Sequence, residues 1–275
     1  MSDAPNADQA KYWNAARHWI EDADGHDQMS GPLGEMAVDA LQLETGARVL
    51  DIGCGTGATT RSIASRIAPG EVVGVDISAL MLDLARSRSA AVVNASFVEG
   101  DAQTYAFEPS SFDAAFSRMG VMFFADPVAA FTNVRRALRP GGRLAFVCWQ
   151  PASENEWVSL PAQAARPWLD LLGGFLEPAG PFAFGDRARL QTVLASAGFT
   201  DVVLEDVRRP VLVGGRGDVD TAMRFLGSSR VGNQIRQEAS DPDAAFRAIR
   251  DALAPRATAD GVELVAAVWL VTARA

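Results

Sequence analysis

The sequence contains few of the residues on which several classes of protein depend. Its 275 residues include only two cysteines and two histidines. Two cysteines provide no disulfide framework and are typical of a reducing compartment, so we expect a cytoplasmic protein. No segment approaches the roughly 18 apolar residues of a membrane span. The amino end, Met1 to Gln9, is polar and lacks the apolar core of a secretory signal, so we interpret residues 1–10 as a flexible tail.

Positive charge is also scarce. The chain has 25 Lys and Arg residues against 34 Asp and Glu residues, a formal net charge of -9. Because nucleic-acid phosphates usually require a basic face, we expect no nucleic-acid partner and a small-molecule substrate. The sequence has no cluster of residues with metal-ligand spacing, so we expect no metal. Hydrophobic residues make up 48% of the chain, which is enough for a full core.

The most informative motif is a glycine-rich turn that follows an apolar strand pattern, from Val49 to Gly57. Gly53 and Gly55 remove side chains that would keep a ligand away from the backbone, and Asp51 places a carboxylate at the carboxyl end of the strand. The motif lacks the Gly-Lys-Ser/Thr ending of a phosphate-binding loop, and the acid would repel a pyrophosphate. This pattern predicts a nucleotide-type cofactor site that attracts a cationic group.

A second acid lies at the end of the next strand pattern. The spacing from Asp51 to Asp76 is that of a βαβ unit, in which the second acid accepts hydrogen bonds from ribose hydroxyls. Alternatively, Asp76 caps the helix that starts near Ser78. Asp101 follows Gly100 in a dipeptide that is also common in ordinary turns.

Taken in order, these segments resemble the motifs of the class I S-adenosylmethionine-dependent methyltransferases, in the group of small-molecule and quinone-biosynthesis enzymes. The resemblance spans residues 45–150 and is carried by residues 49–57, 72–78, 100–102, 112–118 and 138–144. It implies S-adenosyl-L-methionine as cofactor, S-adenosyl-L-homocysteine as product, and Asp101 in the loop that recognises adenine. The implied cofactor-binding residues are Asp51, Gly53, Cys54, Gly55, Thr59, Asp76, Ile77, Met81, Asp101, Ala102 and Arg118.

The resemblance also implies methyl transfer to a small, hydrophobic or aromatic metabolite. Methyl transfer depends mainly on positioning, so the sequence assigns no catalytic residue; His18 and Arg118 are weak candidates. Arg118 could orient an anionic acceptor or form an ion pair with Asp51 or another acid at the rim of the site. His26 lies in a polar, acidic run, and we expect it to be a solvated loop residue. The substrate-binding candidates are Tyr12, Trp13, Met119, Trp149 and Phe182. The aromatic rings among them could equally pack in the core or in a lid.

Two other functions stay open at this point. Gly53-x-Gly55-x-x-Ala58 also fits the fingerprint of an NAD(P)-dependent Rossmann oxidoreductase. A noncatalytic protein that binds an adenosyl ligand is the third reading. The position of Asp51, together with the later Gly-Asp and Arg-Pro-Gly-Gly segments, favours the methyltransferase.

Strand and helix patterns alternate along most of the chain and predict an α/β fold with a doubly wound, mostly parallel sheet. The resemblance implies seven strands in a Rossmann-like order, with the last strand antiparallel between its neighbours, and a helical lid. The expected divisions are a tail at 1–10, a helical cap at 11–45, a cofactor-binding core at 46–150, a lid or substrate-side insertion at 151–185, and the rest of the core sheet with a cap insertion at 186–275. Aromatic residues near the amino end are compatible with a homodimer.

Overall fold

The computed structural model describes residues 5–171 and 179–275. In these residues one seven-stranded sheet runs through the molecule in the order β3-β2-β1-β4-β5-β7-β6. The strands are β1 (Arg48–Ile52), β2 (Glu71–Asp76), β3 (Ala95–Glu99), β4 (Phe112–Arg118), β5 (Leu138–Trp149), β6 (Thr200–Leu212) and β7 (Glu263–Arg274). The predicted Rossmann-like α/β fold is confirmed.

Strand direction follows the prediction. β1 pairs in parallel with β2 and β4, β2 with β3, and β4 with β5. β7 is antiparallel to both of its neighbours, β5 and β6. The chain order reverses between β1 and β4, and loops at the carboxyl ends of such strands form the binding crevice of doubly wound folds.

Helices connect and cover the strands. They are α1 (Ala7–Ala15), α2 (Arg17–Glu21), α3 (Ala23–Ala40), α4 (Ala58–Ile67), α5 (Ala79–Arg88), α6 (Pro127–Ala137), α7 (Glu156–Ala165), α8 (Arg187–Ser196), α9 (Val219–Ser228), α10 (Arg230–Glu238) and α11 (Pro242–Leu253). α3 packs against β4, β5 and β7, whereas α6 and α8 contact each other and pack against β5 and β6. The core lies between these layers, and Phe116, Phe131 and Phe146 are completely buried there.

Short polar side chains determine where several helices begin. The Asp126 carboxylate accepts the Ala129 N–H at 2.9 Å, and Pro127 occupies the first turn of α6. Asp186 caps α8 by accepting the Ala188 N–H at 2.8 Å. Both helices therefore begin at an acidic N-cap, a signal that the local sequence itself contains.

The amino end differs from the predicted flexible tail. Residues 1–4 lie outside the described residues, but α1 already begins at Ala7 and the Asn6 side chain is buried. Hydrogen bonds hold Asn6 to a distant loop, and this contact between remote segments leaves no signal in local sequence composition.

The predicted lid is partly helical. Residues 151–185 contain α7, which packs against α11 and β7 and so joins this segment to the carboxyl-terminal part of the chain. The part of the lid at residues 172–178 lies outside the described residues.

Candidate active site

A cavity of about 710 Å³ opens where the loops after β1, β2 and β4 converge. Its volume is typical of a site for a small molecule or cofactor. The glycine loop after β1 forms one side of the cavity, and aromatic residues from the amino-terminal helices form another. Residues from β5, α7, α9 and α10 complete the wall.

The glycine loop lies close to the backbone of the β4 loop. Gly53 has φ of +65°, and a Cβ atom on this residue would stand 2.9 Å from the Gly120 Cα. Gly55 also has positive φ, but a Cβ there would meet no atom within 4 Å. Gly53 is therefore required by packing against Gly120, whereas the open space beside Gly55 leaves its backbone accessible to a ligand.

Asp76 connects the end of β2 with this loop. Its carboxylate accepts the Gly55 N–H at 2.8 Å and the Ser78 N–H at 2.9 Å. The N-cap of α5 is Ser78, whose hydroxyl accepts the Met81 N–H, so Asp76 is not itself the cap. Burial raises the pKa of Asp76, and the backbone hydrogen bonds partly offset this. A carboxylate has about four acceptor positions, so these bonds fix the side chain and still allow it to accept ligand hydroxyls.

Asp51 lies deeper in the site. It is 1% exposed, and the Thr60 hydroxyl donates a hydrogen bond of 2.6 Å to its carboxylate. Burial raises the pKa of Asp51 to about 6, and the bond from Thr60 opposes this rise. The positive charge of Arg118, which is itself paired with Asp27, also lowers this pKa. A cationic ligand group that approaches a buried acid stabilises its charged form further.

The adjacent thiol of Cys54 does not supply a nucleophile. Burial is the main reason that its pKa lies far above the ordinary value, and the negative Asp76 and Asp51 raise it further. Because the thiolate is the reactive form, Cys54 acts as a small packing residue in the turn.

The buried Asn6 links the amino-terminal segment to the loop after β3. Its amide nitrogen donates to the two Asp101 oxygens at 3.0 and 2.9 Å and to the Gln103 side chain at 3.0 Å. Its amide oxygen accepts the Ala125 N–H at 2.8 Å. The start of the chain is therefore part of the cavity wall at Asp101, a contact that the sequence did not indicate.

Arg118 forms an ion pair with an acid on α3. Its guanidinium donates to the Asp27 carboxylate at 2.6 Å, and the Arg118 side chain is 15% exposed. The partner is therefore Asp27 and not Asp51. Arg118 also packs on α3 so closely that a Cβ at Gly34 would stand 2.8 Å from its Cδ.

Aromatic rings make up much of the remaining wall. Trp13 makes edge-to-face contacts with Tyr12, Trp19 and Phe123, with ring centroids 5.1 to 5.2 Å apart. Edge-to-face pairs of this kind give a rigid apolar surface.

On the β5 side of the cavity, Trp149 contacts Trp157, with ring centroids 5.1 Å apart. The predicted substrate residue Phe182 does not line the cavity. It lies against Trp157, 6.0 Å between ring centroids, so it supports the wall without forming its surface.

Both histidines face this aromatic part of the cavity. His26 lies on α3 and stacks on Trp19, with ring centroids 3.5 Å apart, so the expectation of a solvated loop residue was wrong. Burial, followed by the nearby His18 and Arg118, lowers the pKa of His26 to about 3. Burial also lowers the pKa of His18, whose Nε2 is buried without a hydrogen-bond partner, although Glu21 partly opposes this.

The structure brings most of the predicted site residues together. The following line the one cavity: Asp51, Gly53, Cys54, Gly55, Thr59, Asp76, Ile77, Met81, Asp101, Ala102, Arg118, His18, Tyr12, Trp13, Met119 and Trp149. The cavity is also lined by six residues that were not predicted as site residues: Asn6, Trp19, His26, Asp27, Trp157 and Phe225. Trp19 was visible in the aromatic helical pattern near the amino end, whereas Asp27 and Phe225 gave no local signal.

The described part of the chain has neither a metal-binding cluster nor a membrane-spanning helix. Residues 5–171 and 179–275 contain no group of three or more His, Cys, Asp or Glu side chains arranged to hold a metal ion. None of the helices in these ranges combines the length and the apolar character needed to cross a membrane.

Comparison of the sequence with protein families identifies the domain that carries this site. Residues 49–142 match the model of a methyltransferase domain. A 2-phytyl-1,4-naphtoquinone methyltransferase of Thermosynechococcus vestitus is 40% identical over 114 residues, which are 41% of this chain and 51% of the relative. The chain spans between a third and about half of the length of the first curated relatives that it matches.

Solved structures share the fold over most of the chain. The YcgJ protein of Bacillus subtilis has a TM-score of 0.58 at 19% identity, covering 87% of this chain and 96% of its own. A phosphoethanolamine N-methyltransferase of Haemonchus contortus, solved with S-adenosylhomocysteine, has a TM-score of 0.55 at 20% identity, covering 87% of this chain and 52% of its own. At these identities the likeness shows the fold.

Proposed function

We propose that this chain is a class I S-adenosylmethionine-dependent methyltransferase that transfers a methyl group to a small hydrophobic or aromatic acceptor; its methyltransferase domain and its sheet order support this. The observation that carries the proposal is the position of Asp51 and Asp76 beside the glycine loop, in a cavity that also has an aromatic wall. The acids supply a site for a cationic adenosyl compound, and the rings supply a site for an apolar acceptor next to it.

The residues around the glycine loop fit S-adenosylmethionine. Asp76 offers acceptor positions for the ribose hydroxyls, and the open side of Gly55 leaves room for a ligand close to the backbone. Asp51 is a buried acid that a cationic group would stabilise in its charged form. Asp101 and Ala102 would contact the adenine. When bound, this compound supplies a methyl group already activated by a positive sulfur.

The chain's own residues then act mainly by placement and by exclusion of water. The ring of Trp13 contacts the rings of Trp19 and Phe123, and these rings restrict how an acceptor can lie. A fixed arrangement of two reactants can provide much of the rate enhancement of a displacement reaction. Arg118 is held by Asp27 and serves to position α3 against the β4 loop. No residue of the site has to act as nucleophile.

The other two candidate functions have less support. The comparisons give no support for an NAD(P)-dependent oxidoreductase, and the acids beside the glycine loop would repel its pyrophosphate. A noncatalytic binding protein would have the same donor site, so only a turnover assay distinguishes it from a methyltransferase. The domain divisions at 11–45, 46–150, 151–185 and 186–275 and a homodimer stay predictions.

The proposal is tested by turnover with methyl-labelled S-adenosylmethionine and a panel of small aromatic and aliphatic acceptors. We expect S-adenosylhomocysteine to form together with a labelled small molecule, and we expect the Asp76→Ala variant to form neither. Label transfer to a nucleic acid, or donor binding without turnover on any acceptor class, would contradict the proposal.

A further inference from the structure

The imidazole of His26 can form hydrogen bonds that the protein does not use. Among the described residues, its ring nitrogens have no hydrogen-bond partner. In the same part of the chain, only His18 Nε2 and Ser89 Oγ are both without a partner and fully enclosed by protein. The His26 nitrogens are not enclosed in this way, and His26 lines the cavity. A ligand in the cavity can therefore reach the His26 imidazole.

Aromatic neighbours fix the orientation of this imidazole. The ring of Trp19 stacks on it, with 3.5 Å between centroids and 8° between planes. Phe225 contacts it from α9, with centroids 4.8 Å apart. Trp19 is itself held by an edge-to-face contact with Trp13. A polar group that is already held in place loses little conformational entropy when a ligand binds to it.

His26 lies on the side of the aromatic wall that is near the donor half of the cavity. The next residue on α3, Asp27, accepts a hydrogen bond of 2.6 Å from the Arg118 guanidinium. Arg118 is the last residue of β4, and its positive charge lowers the pKa of both His26 and Asp51. Arg118 is therefore close to the acid of the glycine loop and to the imidazole. A group bound to His26 is placed between the two halves.

The charge state of His26 favours an uncharged partner. Burial, followed by His18 and Arg118, lowers its pKa to about 3, so the imidazole is neutral at physiological pH. One ring nitrogen of a neutral imidazole donates a hydrogen bond and the other accepts one. A hydroxyl group both donates and accepts, so it can pair with either nitrogen. A carboxylate has no proton to donate and gains no ion pair from a neutral ring.

We propose that His26 holds the acceptor by a hydrogen bond between its imidazole and a hydroxyl group of the acceptor. The proposal rests on the proposed function, since it concerns the acceptor half of the same cavity. It narrows the acceptor from an apolar compound to one with a hydroxyl group, and it places this hydroxyl beside the donor half. His26 is then the residue that distinguishes hydroxylated acceptors from apolar compounds of the same shape.

The first test measures binding of three probes to protein saturated with S-adenosylhomocysteine. The probes are 2-naphthol, naphthalene and 2-naphthoate, and quenching of tryptophan fluorescence reports their binding. We expect 2-naphthol to bind about tenfold more tightly than either of the others, which corresponds to one hydrogen bond to a neutral group.

Variants at the two histidines show which imidazole is responsible. We expect His26→Phe to lower the ratio of naphthol affinity to naphthalene affinity about tenfold, because the ring on Trp19 stays and the nitrogens are lost. His26→Gln, which keeps a polar atom, should restore part of the ratio. We expect His18→Phe to keep the ratio of the wild type.

A second measurement uses the wild-type protein and does not depend on a variant. Diethyl pyrocarbonate acylates accessible neutral imidazoles, and the chain has only two histidines. Mass spectrometry of peptides then gives the extent of reaction at each histidine. We expect His26 to react, and we expect saturating 2-naphthol, with S-adenosylhomocysteine bound, to slow the reaction at His26.

The outcomes distinguish this proposal from the one on which it rests. The role of His26 would be overturned, while the donor site stands, by tightest binding of 2-naphthoate or by no saturable binding of 2-naphthol. An unchanged affinity ratio in His26→Phe, or no protection of His26 by 2-naphthol, would overturn it as well. Failure of the wild-type protein to bind S-adenosylhomocysteine would instead overturn the proposed function.

Discussion

At the residue scale, the two acids of the proposed donor site have different environments and different consequences. Asp76 is fixed by the Gly55 and Ser78 amides and faces the cavity, whereas Asp51 is buried against Thr60. The first is suited to accept hydrogen bonds from a ligand. The second carries an electrostatic cost in the folded protein, which a ligand cation would relieve.

Replacement of Asp76 tests the ligand-binding role. We expect Asp76→Ala to weaken binding of S-adenosylhomocysteine at least about 30-fold, because the ribose hydroxyls lose a charged acceptor. Calorimetric titration measures the change. Asp83→Ala, at an exposed acid on α5, is the control and should bind as the wild type does. Equal affinities of the two variants would contradict the assignment of Asp76.

Replacement of Asp51 tests the electrostatic cost. Its pKa rises from 3.8 to about 6 in the folded protein, so the native state binds this proton more tightly than the unfolded state. The free energy of unfolding therefore falls as the pH increases from about 4 to about 6, and the loss persists at neutral pH. We expect Asp51→Asn, which can still accept from Thr60, to be more stable by on the order of 2 kcal/mol at neutral pH.

Urea denaturation at about pH 7.5 and about pH 4 measures this difference. The advantage of Asp51→Asn should shrink toward zero at the lower pH, where Asp51 is protonated in the native state and partly protonated in the unfolded state. The same variant should bind S-adenosylmethionine more weakly. A variant that is less stable than the wild type at neutral pH would show that the buried charge is well compensated.

At the element scale, α1 and the segment before it close one side of the cavity. Asn6 attaches this segment to Asp101 and Gln103, and the Asn14 side chain accepts from Ser78 and from the Leu80 N–H at the start of α5. The cofactor half of the cavity is therefore completed by residues far away in sequence.

Removal of the Asn6 amide tests this attachment. We expect Asn6→Ala to increase hydrogen exchange in Ala7–Ala15 and to weaken S-adenosylhomocysteine binding about tenfold, because Asp101 keeps the Gln103 N–H but loses the side-chain donor that holds it. Asn94→Ala is the matched control, since Asn94 bonds to the Ala64 and Gly70 carbonyls outside the cavity. Similar exchange of α1 in both variants would show that α1 is held by packing alone.

The elements differ in how far the sequence predicted them. The starts of α6 and α8 were predictable because Asp126 and Asp186 are local caps. α3 was covered only by the general prediction of a helical cap at 11–45, since Pro32 and several glycines interrupt its pattern and its stability comes from packing on β4, β5 and β7. For the same reason the sequence placed His26 in a loop.

At the scale of the whole molecule, the sheet order was implied by the resemblance to a known family, whereas the glycine loop and the strand-end acids were predictable because they depend on local backbone geometry. The acceptor wall was less predictable. Trp157, Phe225 and Asp27 come from distant segments, and only tertiary packing brings them to one cavity.

A ligand that binds only the folded protein stabilises the whole molecule. At about 100 times its dissociation constant, S-adenosylhomocysteine should raise the free energy of unfolding by about 2.7 kcal/mol. Thermal denaturation should show this as a rise of a few degrees in Tm. The proposed donor site would be contradicted if saturating S-adenosylhomocysteine did not raise the Tm of the wild-type protein, so that the wild type and Asp76→Ala had the same Tm with ligand.

The central claim is that this cavity binds the sulfonium methyl donor. Calorimetric titration of the wild-type protein with S-adenosylmethionine, S-adenosylhomocysteine and NAD in parallel tests it most directly. We expect saturable binding of S-adenosylmethionine and S-adenosylhomocysteine and no binding of NAD. Saturable binding of NAD alone would contradict it.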